Sequence, residues 1–185
     1  MVASATPPLK KHDFLAVALM DPEGNGKFVQ TCGASLIAQN VILSSAQCLN
    51  MIDEVMIGRY DLSDVHESYE QFRVVEKVIH PLFNPMTLDY DYMVLQIDGS
   101  SSYSPVSLMN RMDHDGATNS ALPGLIVTGW GTATSAPLKA TGYSKILLAS
   151  EIDHIPSVEC MASYGSGVIT DRMMCAEAAS CDGDL

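Results

Sequence analysis

Basic residues are scarce in this chain of 185 residues: ten lysines and arginines stand against 22 aspartates and glutamates, a formal net charge of −12. An excess of negative charge repels nucleic-acid phosphates and anionic lipid headgroups. The sequence therefore predicts that the protein binds neither nucleic acid nor a membrane surface.

Long apolar runs are also missing, although 47% of the residues are hydrophobic. No stretch approaches the roughly 18 uncharged apolar residues that a membrane-spanning helix needs. Residues 1–4 have neither the charged start nor the apolar core of a signal peptide. A mature chain from which the signal peptide has been removed would look the same, and so would a clipped gene model. We expect a soluble globular protein with one core or two small fused barrels.

Metal-binding patterns are absent as well. None of the five cysteines lies in a C-x-x-C knuckle, and the acidic residues 113–115 lack the ligand spacing of a calcium loop. We therefore expect no metal and no cofactor. An odd cysteine count fits two disulfides plus one unpaired thiol in an oxidising compartment, and the alternative is five reduced thiols in a cytosolic protein.

Short β-rich runs fill most of the chain, and only residues 157–163 have a helical pattern. The run at 92–97 is nearly continuous in apolar residues, which predicts a strand buried on both sides. Many short strands at regular spacing indicate an all-β sandwich or barrel. The predicted strands cover residues 14–20, 28–31, 35–37, 41–44, 55–58, 71–79, 92–97, 125–131 and 145–152.

Four motifs occur in an order that resembles the chymotrypsin/trypsin family of serine proteases. Residues 31–48 contain T-C-G-A-S-L-I and V-I-L-S-S-A-Q-C, and residues 91–95 read D-Y-M-V-L. Residues 127–131 read V-T-G-W-G, and residues 169–176 read I-T-D-R-M-M-C-A before a terminal C-D-G-D-L. Each motif alone is weak, but four in order across the whole chain make a specific resemblance.

The resemblance implies a chymotrypsin-like double six-stranded β-barrel whose second barrel is incomplete. A single trypsin-like domain would cover residues 1–185, with the N-terminal barrel at 1–109 and a partial C-terminal barrel at 110–185. It also implies two structural disulfides, Cys32–Cys48 and Cys160–Cys175. Cys181 would pair with a cysteine further along in the family, which accounts for the odd count.

The same resemblance assigns the catalytic positions, and two of them hold the wrong residue type. Asp91 matches the triad carboxylate, whereas Gln47 stands at the base position and Leu185 at the nucleophile position. A neutral amide does not take up a proton near neutral pH, and leucine has no atom that can attack a carbonyl carbon. Gly183 matches an oxyanion-hole donor, and Ala179 lies where trypsin carries the aspartate of its specificity pocket.

Three hypotheses follow for the function. The first is a secreted, catalytically inactive homologue that binds or inhibits a protein or peptide partner, as the glucanase inhibitor proteins do. The second is an active trypsin-like endopeptidase whose sequence is truncated or mis-spliced at its end. The third is a non-functional fragment. The sequence leaves open whether the protein is an enzyme.

Overall fold

The computed structural model describes residues 16–22, 28–108, 125–131 and 143–178. The chain divides into two compact units, one formed by Lys11–Leu108 and the other by Met1–Lys10 together with Met109–Leu185. Among the described residues, no helix is both long enough and apolar enough to cross a membrane.

The first unit contains a closed six-stranded barrel. Its strands are β1 (Ala16–Pro22), β2 (Phe28–Ala38), β3 (Val41–Ser44), β4 (Glu54–Ile57), β5 (Glu70–Ile79) and β6 (Met93–Ile97). They pair in the order β1-β2-β3-β6-β5-β4, and β4 pairs back onto β1, with every pair antiparallel. Closure leaves this sheet without an unpaired edge.

Alternating side chains fill the barrel interior. Leu36 from β2, Ile42 from β3, Val55 from β4 and Leu95 from β6 have no exposed surface. Burying such a side chain contributes about 1.5–3 kcal/mol relative to leaving it in water. The alternation follows from the strand geometry, because successive side chains point to opposite faces of a sheet.

The prediction that residues 92–97 are buried on both sides is wrong. Met93, Leu95 and Ile97 point into the core, whereas Val94 and Gln96 are exposed on the outer surface. A strand in a closed barrel has one inward face, so apolar residues on its outer face remain in contact with solvent. A second difference lies in β2, where the two runs predicted at 28–31 and 35–37 form one continuous strand.

Two carboxylates form hydrogen bonds at the ends of barrel strands. Glu70, at the start of β5, accepts hydrogen bonds from the hydroxyls of Ser101 and Ser102 and from the Ser102 backbone N–H. Burial acts to raise the pKa of Glu70, but these hydrogen bonds outweigh it and lower the pKa. Asp98 follows β6, and its pKa is lowered by hydrogen bonds from the backbone N–H and guanidinium of Arg73.

The described part of the second unit is a three-stranded sheet with one helix. Its elements are β7 (Leu125–Gly129), β8 (Leu148–Ile155), α1 (Ser157–Tyr164) and β9 (Cys175–Ala178), and the strand order is β7-β8-β9. Pro156 precedes the helix, and Gly165 ends it with a φ of 93°, a conformation that favours glycine. The observed architecture confirms the predicted all-β fold with a smaller second sheet.

Candidate functional site

The barrel brings Gln47 and Asp91 together through the pairing of β3 with β6. Ser44, the last residue of β3, pairs with Met93, the first residue of the antiparallel strand β6. The chain that leaves β3 therefore lies beside the chain that enters β6. Gln47 sits on the first of these, in a one-turn 3-10 helix (Ala46–Cys48), and Asp91 sits on the second.

Two hydrogen bonds join Gln47 to Asp91. The Gln47 backbone N–H donates to Asp91 Oδ1 at 2.8 Å, and the side-chain Nε2 donates to Asp91 Oδ2 at 2.8 Å. Both carboxylate oxygens are thus engaged by one residue. Gln47 is exposed and Asp91 is half-buried, so the pair lies at the barrel surface.

Several contacts hold the turn that carries Gln47. The neighbouring Ala46 and Cys48 are buried, and Cys48 forms a disulfide with Cys32 of β2. The Lys77 ammonium donates hydrogen bonds to the carbonyl oxygens of Leu49, at 3.1 Å, and Ile52. An ammonium bound to backbone carbonyls fixes the path of the chain that follows the 3-10 helix.

Aromatic rings flank Asp91 on both sides in the sequence. The imidazole of His80 stacks on the Tyr90 ring, with centroids 4.5 Å apart and planes 5° from parallel, and lies 4.7 Å from the Tyr92 ring. Tyr90 has a φ of 55°, and Leu88 a φ of 56°, both in the left-handed region. Backbone in that region persists where surrounding contacts hold it, and the stack on His80 is such a contact for Tyr90.

Sequence reasoning did not find these supporting residues. No motif of the sequence marks His80, whose Nδ1 accepts a hydrogen bond from the Leu82 N–H at 3.3 Å. His154 likewise lies in no motif, and it is buried in β8 with 6% of its surface exposed. Lys77 had no motif to mark it, because its role depends on carbonyls more than twenty residues away.

The geometry decides what this pair can do chemically. A catalytic imidazole needs a carboxylate that accepts its N–H, and Asp91 accepts an N–H from Gln47 in that manner. The amide cannot then act as a base, because a neutral carboxamide does not take up a proton near neutral pH. The pair of Gln47 and Asp91 thus contains a carboxylate that accepts N–H groups and an amide that does not act as a base.

Five of the predicted positions lie outside the described residues. They are Leu185, Gly183, Ala179, Cys181 and Asp184. Leu185, Gly183, Ala179 and Cys181 stay predictions as nucleophile position, oxyanion-hole donor, pocket residue and unpaired thiol. Asp184 matches the residue that pairs with the free α-amino group of residue 1 in activated members of the family, and that resemblance also stays a prediction.

Both disulfides that the resemblance implied are present. Cys32 and Cys48 lie with their Cα atoms 6.4 Å apart, and Cys160 and Cys175 with theirs 6.2 Å apart. Each bridge lies within one unit, the first against the barrel core and the second between α1 and the start of β9. Within the described ranges, no group of three or more histidine, cysteine, aspartate or glutamate side chains is arranged to hold a metal ion.

Comparison with known proteins agrees with this architecture. Neuropsin is a serine protease expressed in mouse brain. Its structure superimposes on this chain with a TM-score of 0.77 at 22% sequence identity, and the match covers 98% of this chain and 77% of neuropsin. At that identity the likeness establishes the fold, which is chymotrypsin-like with an incomplete second barrel.

Sequence relatives extend the comparison beyond the fold. Anionic trypsin of Canis lupus familiaris is 34% identical over 162 residues, which cover 83% of this chain and 62% of that protein. Serine protease Hayan of Drosophila melanogaster is 28% identical over 171 residues, covering 83% of this chain and 26% of Hayan. The chain thus spans less than two thirds of the length of either relative.

A family model carries the assignment across almost the whole sequence. The model described as Trypsin matches residues 10–184, which include the barrel, the Gln47–Asp91 pair and both disulfides. The chain belongs to the trypsin family of serine protease homologues.

Proposed function

We propose that this protein is a catalytically inactive member of the trypsin family that works by binding a protein or peptide partner outside the cell. The proposal combines a protease scaffold with a base position that holds no base. A decoy or inhibitor of the glucanase-inhibitor kind is one form that such a protein takes.

The observation that carries the proposal is the pairing of Gln47 with Asp91. The side-chain amide of Gln47 donates to Asp91 Oδ2 at 2.8 Å, and the Gln47 backbone N–H donates to Asp91 Oδ1 at 2.8 Å. Removing one member of a catalytic triad lowers the rate by several orders of magnitude. With Leu185 at the position of the attacking oxygen, two of the three chemical roles are unfilled.

Other observations support the proposed extracellular location and the proposed protein or peptide partner. Two formed disulfides are typical of proteins that fold in an oxidising, extracytoplasmic compartment. Relatives named as trypsins and serine proteases favour a polypeptide as the molecule recognised. The net charge of −12 disfavours nucleic acid.

Turnover of a peptide ester by the purified protein tests the proposal. Hydrolysis of arginine and tyrosine ester substrates should not exceed the rate in buffer, while bovine trypsin under the same conditions turns over the arginine ester rapidly. An ester hydrolysis rate well above the buffer rate, abolished by diisopropyl fluorophosphate, would overturn it.

A further inference from the structure

One buried side chain attaches the helix α1 to the rest of the second unit. Among the eight residues of α1, Cys160 alone is buried, whereas Val158 is 71% exposed and Tyr164 is 65% exposed. Cys160 also forms the disulfide with Cys175, the first residue of β9. An isolated helix shorter than about 12–15 residues is only marginally stable in water. The position of α1 therefore depends mainly on the Cys160–Cys175 bridge.

Open space borders this bridge. A cavity of about 780 Å³ beside α1 is lined by Cys160 and Cys175, together with Ile155 of β8. Cys175 is half-buried, whereas Cys160 is 2% exposed. A thiolate reduces a disulfide by attacking one of its sulfur atoms, so the rate of reduction depends on access to that atom. The cavity lets a small thiol approach the bridge, with Cys175 as the more exposed end.

The Cys32–Cys48 bridge lies in different surroundings. Cys48 is 5% exposed and belongs to the barrel core, and Cys32 packs against the same core. Cys32 lies in β2, which pairs with β1 on one side and with β3 on the other. Exposure alone does not separate the two bridges, because each has one half-buried cysteine. Reaching this bridge requires the closed barrel to open, whereas reaching the other requires only the movement of a short, mostly exposed helix.

We propose that the Cys160–Cys175 bridge is a redox switch, which a dithiol reductant opens to release α1 while the barrel and its own bridge stay intact. A thiolate of the reductant attacks Cys175 Sγ and forms a mixed disulfide there, and the Cys160 sulfur leaves as a thiolate that takes up a proton. The second thiol of the reductant then attacks the mixed disulfide, which frees Cys175 as a thiol. The protein gains two electrons and two protons, and the dithiol is oxidised to a disulfide.

Release of α1 changes the surface around the cavity. The helix supplies Glu159, Ser163 and Tyr164 to the cavity lining, so the cavity loses one wall when the helix moves away. Without the bridge, eight residues with a single buried side chain do not hold a helix in place. The switch goes beyond the proposed function, because it alters the second unit whether or not the protein hydrolyses esters.

Reduction of the native protein by dithiothreitol tests the switch. Free thiols, including any at Cys181, are first blocked with N-ethylmaleimide. Thiols that appear during reduction without denaturant are labelled with iodoacetamide and located by peptide mass spectrometry. Label should appear on Cys160 and Cys175 about tenfold or more faster than on Cys32 and Cys48. In urea that unfolds the protein, the two bridges should be reduced at similar rates, because both are then exposed.

A monothiol identifies the sulfur atom that is attacked. Glutathione forms a mixed disulfide with the protein, and iodoacetamide alkylates the freed cysteine and so preserves that adduct. Peptide masses should place glutathione on Cys175. An adduct on Cys160 instead would contradict the proposed order of steps.

Hydrogen exchange measures the release of α1. Amides of residues 157–164 should exchange about tenfold or more faster after reduction of this bridge, whereas amides of β3 and β6 should keep their rates. Cys160→Ala with Cys175→Ala should show the same fast exchange without any reductant. Cys32→Ala with Cys48→Ala is the matched control, in which α1 should exchange as in the unmodified protein. Should a double variant fail to fold, the reduced and alkylated unmodified protein supplies the measurement.

Equal labelling rates for the two bridges in the native protein would overturn the proposal, and so would earlier labelling of Cys32 and Cys48. Unchanged exchange of residues 157–164 after reduction would show that the bridge does not hold α1, which also contradicts it. Loss of protection in β3 and β6 together with α1 would show unfolding of the whole protein rather than a switch. None of these results depends on ester turnover, so the proposed function is tested separately.

Discussion

The residue at position 47 is a glutamine whose backbone and side-chain N–H groups both bind the Asp91 carboxylate. Strand pairing in the barrel places Asp91 beside residue 47. We expect the same carboxylate to orient other N–H donors introduced at position 47. With glutamine at position 47, these contacts are hydrogen bonds that transfer no proton. A glutamine amide and an imidazole could make the same contact with this carboxylate, but only the imidazole takes up a proton near neutral pH.

Replacing Gln47 with histidine tests whether Asp91 can orient an imidazole. The Gln47→His imidazolium would donate to Asp91, so its pKa should rise above the ordinary value of about 6.5. A raised pKa stabilises the fold below the unfolded-state value, and this stabilisation disappears as the pH rises through the folded-state pKa. An NMR titration of the ring protons measures this pKa.

The control for this titration is the same histidine with Asp91→Asn, where the pKa should fall back toward the ordinary value. A histidine at position 47 that titrates identically with and without the carboxylate would show that the site does not orient the ring. The Gln47→His protein should still hydrolyse no ester, because Leu185, the residue predicted for the nucleophile position, has no atom that can attack a carbonyl carbon.

The turn after β3 depends on contacts from distant elements. Lys77, from β5, binds the carbonyls of Leu49 and Ile52, and its side chain is 27% exposed. Lys77→Met should lower the free energy of unfolding by about 1–2 kcal/mol, because two partly buried carbonyls lose a charged donor. Urea denaturation at neutral pH measures the difference.

Arg73 provides the matched control on the same strand. Its guanidinium also forms an ion pair, with Asp98 at 2.9 Å, but its side chain is 77% exposed. Arg73→Met should cost under about 1 kcal/mol, since solvent screens an exposed pair. Equal losses in the two variants would contradict the role assigned to Lys77.

The Glu70 carboxylate predicts how the barrel responds to acid. Its pKa is lowered in the fold, so it contributes stability above its ordinary value near 4.5 and loses that contribution as the pH falls through the lower, folded-state pKa. Glu70→Gln should therefore flatten the fall in urea midpoint between neutral pH and pH about 3. An identical pH dependence in both proteins would show that the Ser101 and Ser102 contacts do not matter for stability.

Some of these contacts can be predicted from the sequence, and others cannot. The contact between Gln47 and Asp91 can be predicted, because each residue lies in a motif at the end of a strand and these two strands pair in the chymotrypsin-like fold. The Lys77 contact and the His80 stack cannot, because each joins residues that share no motif. The strand β9 was missed because four residues after a loop carry too little periodicity, and β6 was misjudged because apolar residues on an outer face resemble a fully buried strand.

At the scale of the whole molecule, each unit carries its own covalent bridge. Cys32–Cys48 closes a short loop around the barrel turn that holds Gln47. Cys32→Ala with Cys48→Ala should lower the free energy of unfolding by about 3 kcal/mol, chiefly by freeing the unfolded chain. Urea denaturation measures the loss, and unchanged stability after removal of the bridge would contradict its structural role.

The proposed function requires that this trypsin-family scaffold carries out no acyl transfer. The most direct measurement is the intact mass of the purified full chain after treatment with a fluorophosphonate, beside trypsin treated in the same way. We expect no added mass on this protein and one adduct on trypsin, because attack on phosphorus requires an activated oxygen that neither Gln47 nor Leu185 provides. One stoichiometric adduct, prevented by prior heat denaturation, would contradict the central claim.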